Sequence, residues 1–152
     1  MRISAKADYA VRAAAELAAS AVAEPMPAES LSRAQQIPHR FLEAILSDLR
    51  RDGIVTSRRG AGGGYVLARP ADQVTVADVI RAVDGPLVYV RSERPADLEY
   101  SGAAANLMYV WVALRANVRA VLENVTLADL AGGAVPDVVR ALTDDDEAWE
   151  NP

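Results

Sequence analysis

The spacing of apolar and polar positions divides the chain into short helices broken by one extended stretch. Ser4 is placed to cap a first helix running to about Ser20, with Asp8 in its opening turns and Tyr9, Ala13 and Leu17 on one face. Glu24-Pro-Met-Pro27 interrupts it. A short helix from roughly Ala28 to Gln36 follows, with Leu31 and Ala34 as its expected buried positions, and Ile37-Pro38 marks the next turn. The third helix, about Pro38 to Asp52, has the clearest period. Phe41, Leu42, Ile45, Leu46 and Leu49 make its apolar stripe, His39, Arg40, Glu43, Ser47 and Arg50 its opposite face, and Gly53 its stop.

Two extended runs come next, Ile54–Ser57 and Tyr65–Leu67, around Arg58-Arg59-Gly60-Ala61-Gly62-Gly63-Gly64, which predicts a β-hairpin with a basic loop. Thr75 with Asp78 opens a capped helix carrying Val76, Val79, Ile80 and Val83, and Gly85-Pro86 ends it. Residues 86–102 show no period. From about Ala103, Leu107, Trp111, Leu114, Val118, Val121 and Val125 repeat in a heptad pattern, predicting a helix of ~34 Å that needs a partner. Thr126-Leu-Ala-Asp-Leu130 opens a short helix closed by Gly132-Gly133, Pro136–Leu142 is amphipathic, and Thr143–Pro152 is an acidic tail. The expected organisation is a helical head with a hairpin over 1–85, a connecting segment over 86–102, a pairing helix with the short helix after it over 103–131, and an extension over 132–152.

Composition narrows the chemistry. The chain of 152 residues has no Cys and one His, so thiol nucleophiles, disulfides and thiolate-held clusters are excluded and a catalytic triad has one candidate base, His39. No second His or Cys supports a metal site at His39, and no nucleophile–base pair stands at a recognisable spacing, so an enzyme is not expected and no cofactor is assigned. Net charge is −5, but residues 1–70 carry ten basic against seven acidic side chains, and residues 71–152 six against fourteen. The first half is the working surface this split suggests. No run approaches the ~18 apolar residues of a membrane span, and Met1–Lys6 does not open a signal peptide, so a soluble, cytoplasmic chain without a membrane partner is expected.

Three helices followed by a hairpin form the order of a winged helix-turn-helix, in which the third helix enters the major groove and the hairpin loop lies on neighbouring phosphates. The expected fold is therefore mainly α with a small β-hairpin wing, plus a long dimerisation helix. On this reading Arg40 and Arg50 touch phosphates or base edges, Glu43 accepts from cytosine, and His39 serves either role. Arg58 and Arg59 sit at the loop, where Gly60, Gly62, Gly63 and Gly64 allow a close backbone approach. The loop is not a nucleotide cradle, because it lacks the Gly-Lys-Ser/Thr ending and precedes a strand.

Arg2–Arg12, Phe41–Arg50, Gly53–Leu67 with its Arg-Gly-x-Gly-Gly-Gly-Tyr run, Val79–Pro86 and Thr126–Leu130 resemble the Rrf-two family of winged helix-turn-helix transcription regulators, whose members include IscR, NsrR and CymR. The resemblance covers about residues 1–131. It implies homodimers joined through the long helix, binding an inverted repeat in double-stranded DNA and acting as repressors. It places His39, Arg40 and Glu43 at base-reading positions, with Ser47 and Arg50 on the same face, and Arg59 at the wing position that enters the minor groove, within a wing running from Ser57 to Tyr65. Leu107, Trp111, Leu114, Val118, Val121 and Val125 become the dimer interface. Where cluster-bearing members hold three Cys, this chain has Ser92, Leu98, Ala104 and Leu107 in the corresponding stretch, Asp84 to Leu107, with Asp8 as a lone carboxylate and Arg12 where some members have His. The iron–sulfur function is not carried over. Tyr89, Arg91, Tyr100 and Tyr109, with Arg94 and Trp111, lie where the family places its sensor. They either line a pocket for a small-molecule or protein effector or simply pack the head against the long helix. The rival reading keeps the fold as a partner-controlled adaptor that binds protein through the acidic second half, and the basic wing argues against it.

Overall fold

The computed structural model describes residues 1–20 and 24–150. Among these described residues, seven helices and one hairpin run in order: α1 (Ala5–Ala19), α2 (Ala28–Gln35), α3 (His39–Arg51), β1 (Val55–Arg58), β2 (Gly64–Leu67), α4 (Val76–Asp84), α5 (Leu107–Leu122), α6 (Leu127–Ala131) and α7 (Asp137–Thr143). Single 3₁₀ turns occupy 71–73, 95–97, 102–104 and 146–149. The mainly helical class with a two-stranded antiparallel hairpin is as expected.

Each boundary has a local cause. Ser4 Oγ accepts the Ala7 amide at 2.9 Å and starts α1. After α3, Gly53 adopts φ +70°, and the Ile54 amide returns to the Leu49 carbonyl at 2.9 Å, turning the chain into β1. The hairpin register pairs Val55 with Leu67 and Ser57 with Tyr65; β1 starts and ends one residue later than expected, and β2 starts one residue early but ends at Leu67 as expected. Tyr65 also bridges Met26, with amide–carbonyl distances of 2.8 and 2.9 Å, so the Pro-flanked segment before α2 adds a third short rung to the wing.

The core gathers on α1. Its inward positions Ala7, Ala10, Ala13 and Ala14 are small, which lets α3, α4 and α6 approach closely, with Leu42, Ile45, Leu46, Leu49, Val79 and Leu127 filling the space at 0% exposure. Three expectations change. Ala34 is exposed, because α2 presents only Leu31 inward. Phe41 is 43% exposed, since it stands at the edge of the α3 stripe rather than within it. The long helix is also shorter, with 16 residues from Leu107 and thus about 24 Å of length, because a 3₁₀ turn at 102–104 precedes it and it ends at Leu122. Val125 therefore lies beyond α5 and is 7% exposed in the chain's own core, where its carbonyl accepts the Val76 amide at 2.9 Å. α6 packs on α1 rather than extending α5. Residues 144–150 of the acidic tail are exposed, the Trp149 indole donating to the Thr143 carbonyl at 2.8 Å, and residues 151 and 152 lie outside the described ones.

Candidate nucleic-acid interface

Helix α3 divides its faces cleanly. Leu42, Ile45, Leu46 and Leu49 are buried, whereas His39, Arg40, Glu43, Ser47 and Arg50 are all exposed. His39 Nε2 lies 3.8 Å from Glu43 Oε1, one turn along. The helix is braced from behind by Lys6, whose Nζ reaches Asp48 Oδ2 at 2.6 Å and donates to the Val83 carbonyl at 2.9 Å, tying α1, α3 and α4 together. Arg51 Nη1 holds the other Asp48 oxygen at 2.9 Å. The hydrogen bond from Lys6, with the charges of Lys6 and Arg51, holds the Asp48 carboxyl below its usual range.

Sequence reasoning missed what surrounds Phe41. Its ring centroid lies 6.1 Å from that of Tyr9 on α1, with Arg40 over Phe41 at 4.9 Å and Arg12 over Tyr9 at 5.3 Å. An apolar run gives no signal of which flank residue a neighbouring helix leaves uncovered.

The hairpin tip carries Arg58, Arg59, Gly60 and Gly62 on the surface, with Ser57, Gly63, Gly64 and Tyr65 half-buried. Two of the glycines answer to internal packing. A Cβ at Gly63 would stand 2.4 Å from the Arg58 carbonyl oxygen and 2.8 Å from that of Gly60, and one at Gly64 would stand 2.4 to 2.7 Å from the Met26–Pro27 backbone. Gly63 thus closes the tip, its amide donating to the Gly60 carbonyl at 2.9 Å, and Gly64 lets β2 lie against the segment before α2.

Further along, Arg91 lies 5.6 Å over the Tyr100 ring and Trp111 Nε1 donates to Tyr100 Oη at 3.1 Å, so these three are brought together. Tyr89 and Tyr109 are exposed, at 43% and 65%. Helix α5 has no buried residue, although only Arg115, Asn117 and Arg119 interrupt its apolar sequence. Leu107, Trp111, Leu114, Val118 and Val121 are half-buried, while Tyr109, Val110 and Val112 stand outward. Among the described residues no helix is long and apolar enough to cross a membrane.

A three-helix head with an exposed polar reading face and a glycine-closed basic hairpin defines a winged helix-turn-helix regulator that binds DNA. Comparison with known proteins makes this specific. The profile of the Rrf2 family, described as iron-dependent transcriptional regulator, matches residues 3–133, and the chain belongs to that family. It is 52% identical over 151 residues to Rv1287, named an HTH-type transcriptional regulator, of Mycobacterium tuberculosis (strain ATCC 25618 / H37Rv), covering 99% of this chain and 94% of the relative. Among solved structures it is similar to CymR (YrzC), titled the global cysteine regulator of B. subtilis, with a TM-score of 0.75 and 34% identity over 89% of this chain and 99% of that one. It is likewise similar to IscR of T. potens, with a TM-score of 0.72 and 28% identity over 99% and 97%. These relatives are named as regulators of transcription, not as enzymes.

The donor set does not fit an iron–sulfur cluster. The chain has no Cys. Leu98 is 2% exposed in apolar packing, Ser92 sits at φ +66° in an exposed turn, and Ala104 and Leu107 offer no donor. Asp8 is already paired with Arg12 Nη1 at 3.1 Å. Among the described residues no group of three or more His, Asp or Glu side chains is placed to hold a metal ion.

Proposed function

We propose that the chain is a homodimeric, sequence-specific repressor that binds an inverted repeat in double-stranded DNA without an iron–sulfur cluster. The observation that carries this reading is α3, whose buried face is locked by Lys6 while its other face bears five exposed polar side chains, none of them buried in the head's own core. His39, Arg40 and Glu43 read base edges, Ser47 and Arg50 contact the backbone, and Arg59 reaches from the wing into the minor groove. Pairing through α5 is supported by its apolar sequence without a single buried residue, the second copy covering Tyr109, Val110 and Val112 and the rim of the Leu107–Val121 stripe. Purified protein mixed with sheared genomic DNA at near-physiological salt, followed by sequencing of the recovered fragments, tests the reading. Enrichment of one inverted repeat beside promoters is expected. A flat profile in which the protein instead retains a protein partner would turn the reading to an adaptor.

A further inference from the structure

Two threonines close a ring of contacts where α5 meets the DNA-reading head. Thr75 caps α4 and Thr126 caps α6, each in a reciprocal box with the Asp three residues on. The Asp78 amide donates to Thr75 Oγ1 at 3.1 Å and the Thr75 amide to Asp78 Oδ2 at 3.0 Å, and the Thr126–Asp129 pair repeats this at 3.1 and 2.8 Å. The backbone and hydroxyl donors of Thr126 hold the Asp129 carboxyl below its usual range. The two caps face each other as an antiparallel bridge, with Val76 donating to Val125 and Leu127 to Val74, both at 2.9 Å. Leu127 and Val74 are fully buried beneath it. This pins the chain just after α5 at one place, which taken alone is a pivot.

Arg81, one turn beyond Asp78 on α4, supplies a second attachment. Its guanidinium pairs with the Glu123 carboxylate at the C-terminal cap of α5, and its Nη1 lies 3.8 Å from Asp78 Oδ1. Glu123 Oε1 also accepts Arg119 Nε at 2.9 Å. The circuit then closes from Glu123 through Thr126, Thr75, Asp78 and Arg81 back to Glu123. Exposed ion pairs contribute little to stability, and these side chains are roughly a third exposed. Their effect here is on direction: beside the packing of α5 on the 95–97 turn, the backbone bridge and the ion pair are two attachments between α4 and the end of α5, and two fix an axis that one leaves free. At about 1.5 Å per residue α5 is about 24 Å long, so a swivel of about 10° moves its far end by about 4 Å, more than the ~3.4 Å rise of one base pair.

We propose that the ring Thr75–Asp78–Arg81–Glu123–Thr126 sets the angle at which α5 leaves the head, and so determines the half-site spacing the dimer accepts. Arg81 and Glu123 are then positioning residues that touch no DNA. The inference rests on the dimeric DNA-reading function above, and its test separates the two. Because the chain lacks Cys, spin labels placed at Asp52→Cys in the head and Ala105→Cys before α5 are unique, and dilution with unlabelled protein isolates the distance within one chain. Arg81→Met and Glu123→Gln should broaden that distance distribution. Against operators lengthened or shortened by one base pair at the centre, both variants should lose about tenfold of the wild-type preference for the correct spacing while remaining dimers, and the double variant should lose no more than either single one. Unchanged distance widths together with an unchanged spacing preference would overturn the proposal. Broadening in a protein whose wild type binds no inverted repeat would support the ring as the angular constraint and count against the operator reading.

Discussion

Gly63→Ala tests whether the shape of the wing tip, rather than its charge, holds DNA. The added Cβ would stand 2.4 Å from the Arg58 carbonyl oxygen, 2.8 Å from that of Gly60 and 3.1 Å from the Arg59 carbonyl carbon, all backbone atoms. Below 3.0 Å something must shift, so the turn opens and the 2.9 Å bond from the Gly63 amide to the Gly60 carbonyl is lost. One such bond contributes about 0.5–1.5 kcal/mol, and the tip is free to relax into solvent. A fall in melting temperature of only about 2–4 °C is therefore expected for a domain of this size.

DNA binding should suffer far more. If the charge-assisted contact of Arg59 contributes about 1.5 kcal/mol, its loss from both wings of a dimer costs about 3 kcal/mol, roughly a hundredfold in affinity. Arg59→Ala should give a similar loss. The two substitutions differ in net charge, yet the salt slope counts cations seated against the DNA rather than charges carried. Both should therefore flatten the dependence of log K on log salt by a similar amount. Fluorescence anisotropy with the enriched operator, measured from about 50 to 200 mM salt, supplies affinity and slope together. A folded Gly63→Ala protein with wild-type affinity and slope would refute the wing assignment.

Further outcomes follow from other contacts. Val110 is 55% exposed, so Val110→Asp should leave the folded chain intact while weakening the dimer at least a hundredfold by burying a charge at an apolar seam, and a stable dimer in sedimentation would remove α5 as the interface. Lys6→Met should leave Asp48 without its shortest partner, lowering both the melting temperature and operator affinity, although Lys6 is proposed to touch no DNA. A variant that melts lower but binds as wild type would sink the bracing role. The Arg119 and Arg81 hydrogen bonds depress the Glu123 carboxyl from 4.5 to about 2, so its contribution is fully present above pH 4.5 and is lost as pH falls toward 2. Thermal melts of wild type and Glu123→Gln should accordingly differ slightly at neutral pH and draw together as pH falls through 2; a difference undiminished at pH 2 would contradict the ion-pair origin.

Much of the head was legible because its signals are local. Ser4, the Thr75–Asp78 and Thr126–Asp129 boxes and Gly53 each act within a few residues, and each stands where its helix begins or ends. The α3 period likewise separated the buried Leu42–Leu49 set from the exposed His39–Arg50 set. Periodicity points Phe41 and Ala34 inward because it fixes a direction but not whether a neighbour covers it, and α1 meets Phe41 through Tyr9 while leaving it 43% exposed. The period overextends α5 for a related reason. A heptad continues through Val125 on paper, but the bonds from Val76 to Val125 and from Leu127 to Val74 draw the chain off into the head first. Contacts such as Lys6–Asp48 and Arg81–Glu123 link residues some forty positions apart and carry no local pattern at all.

The family profile is described as iron-dependent, and this chain keeps the fold while changing the donors. A cluster needs several soft or charged ligands converging on one place, and the stretch between α4 and α5 supplies a buried Leu98 and a strained, exposed Ser92 instead. Asp8 on α1 is paired with Arg12 a turn away. Anaerobic incubation of the purified protein with ferrous iron and sulfide should therefore develop no visible charge-transfer absorption after desalting, and operator affinity should be unchanged. As a positive control, a protein that assembles an iron–sulfur cluster, carried through the same protocol, shows whether the conditions are sufficient. Stable colour in this chain, with a shift in operator affinity, would mean that ligands outside the expected stretch hold the metal and would return the protein to the iron-responsive mode of regulation.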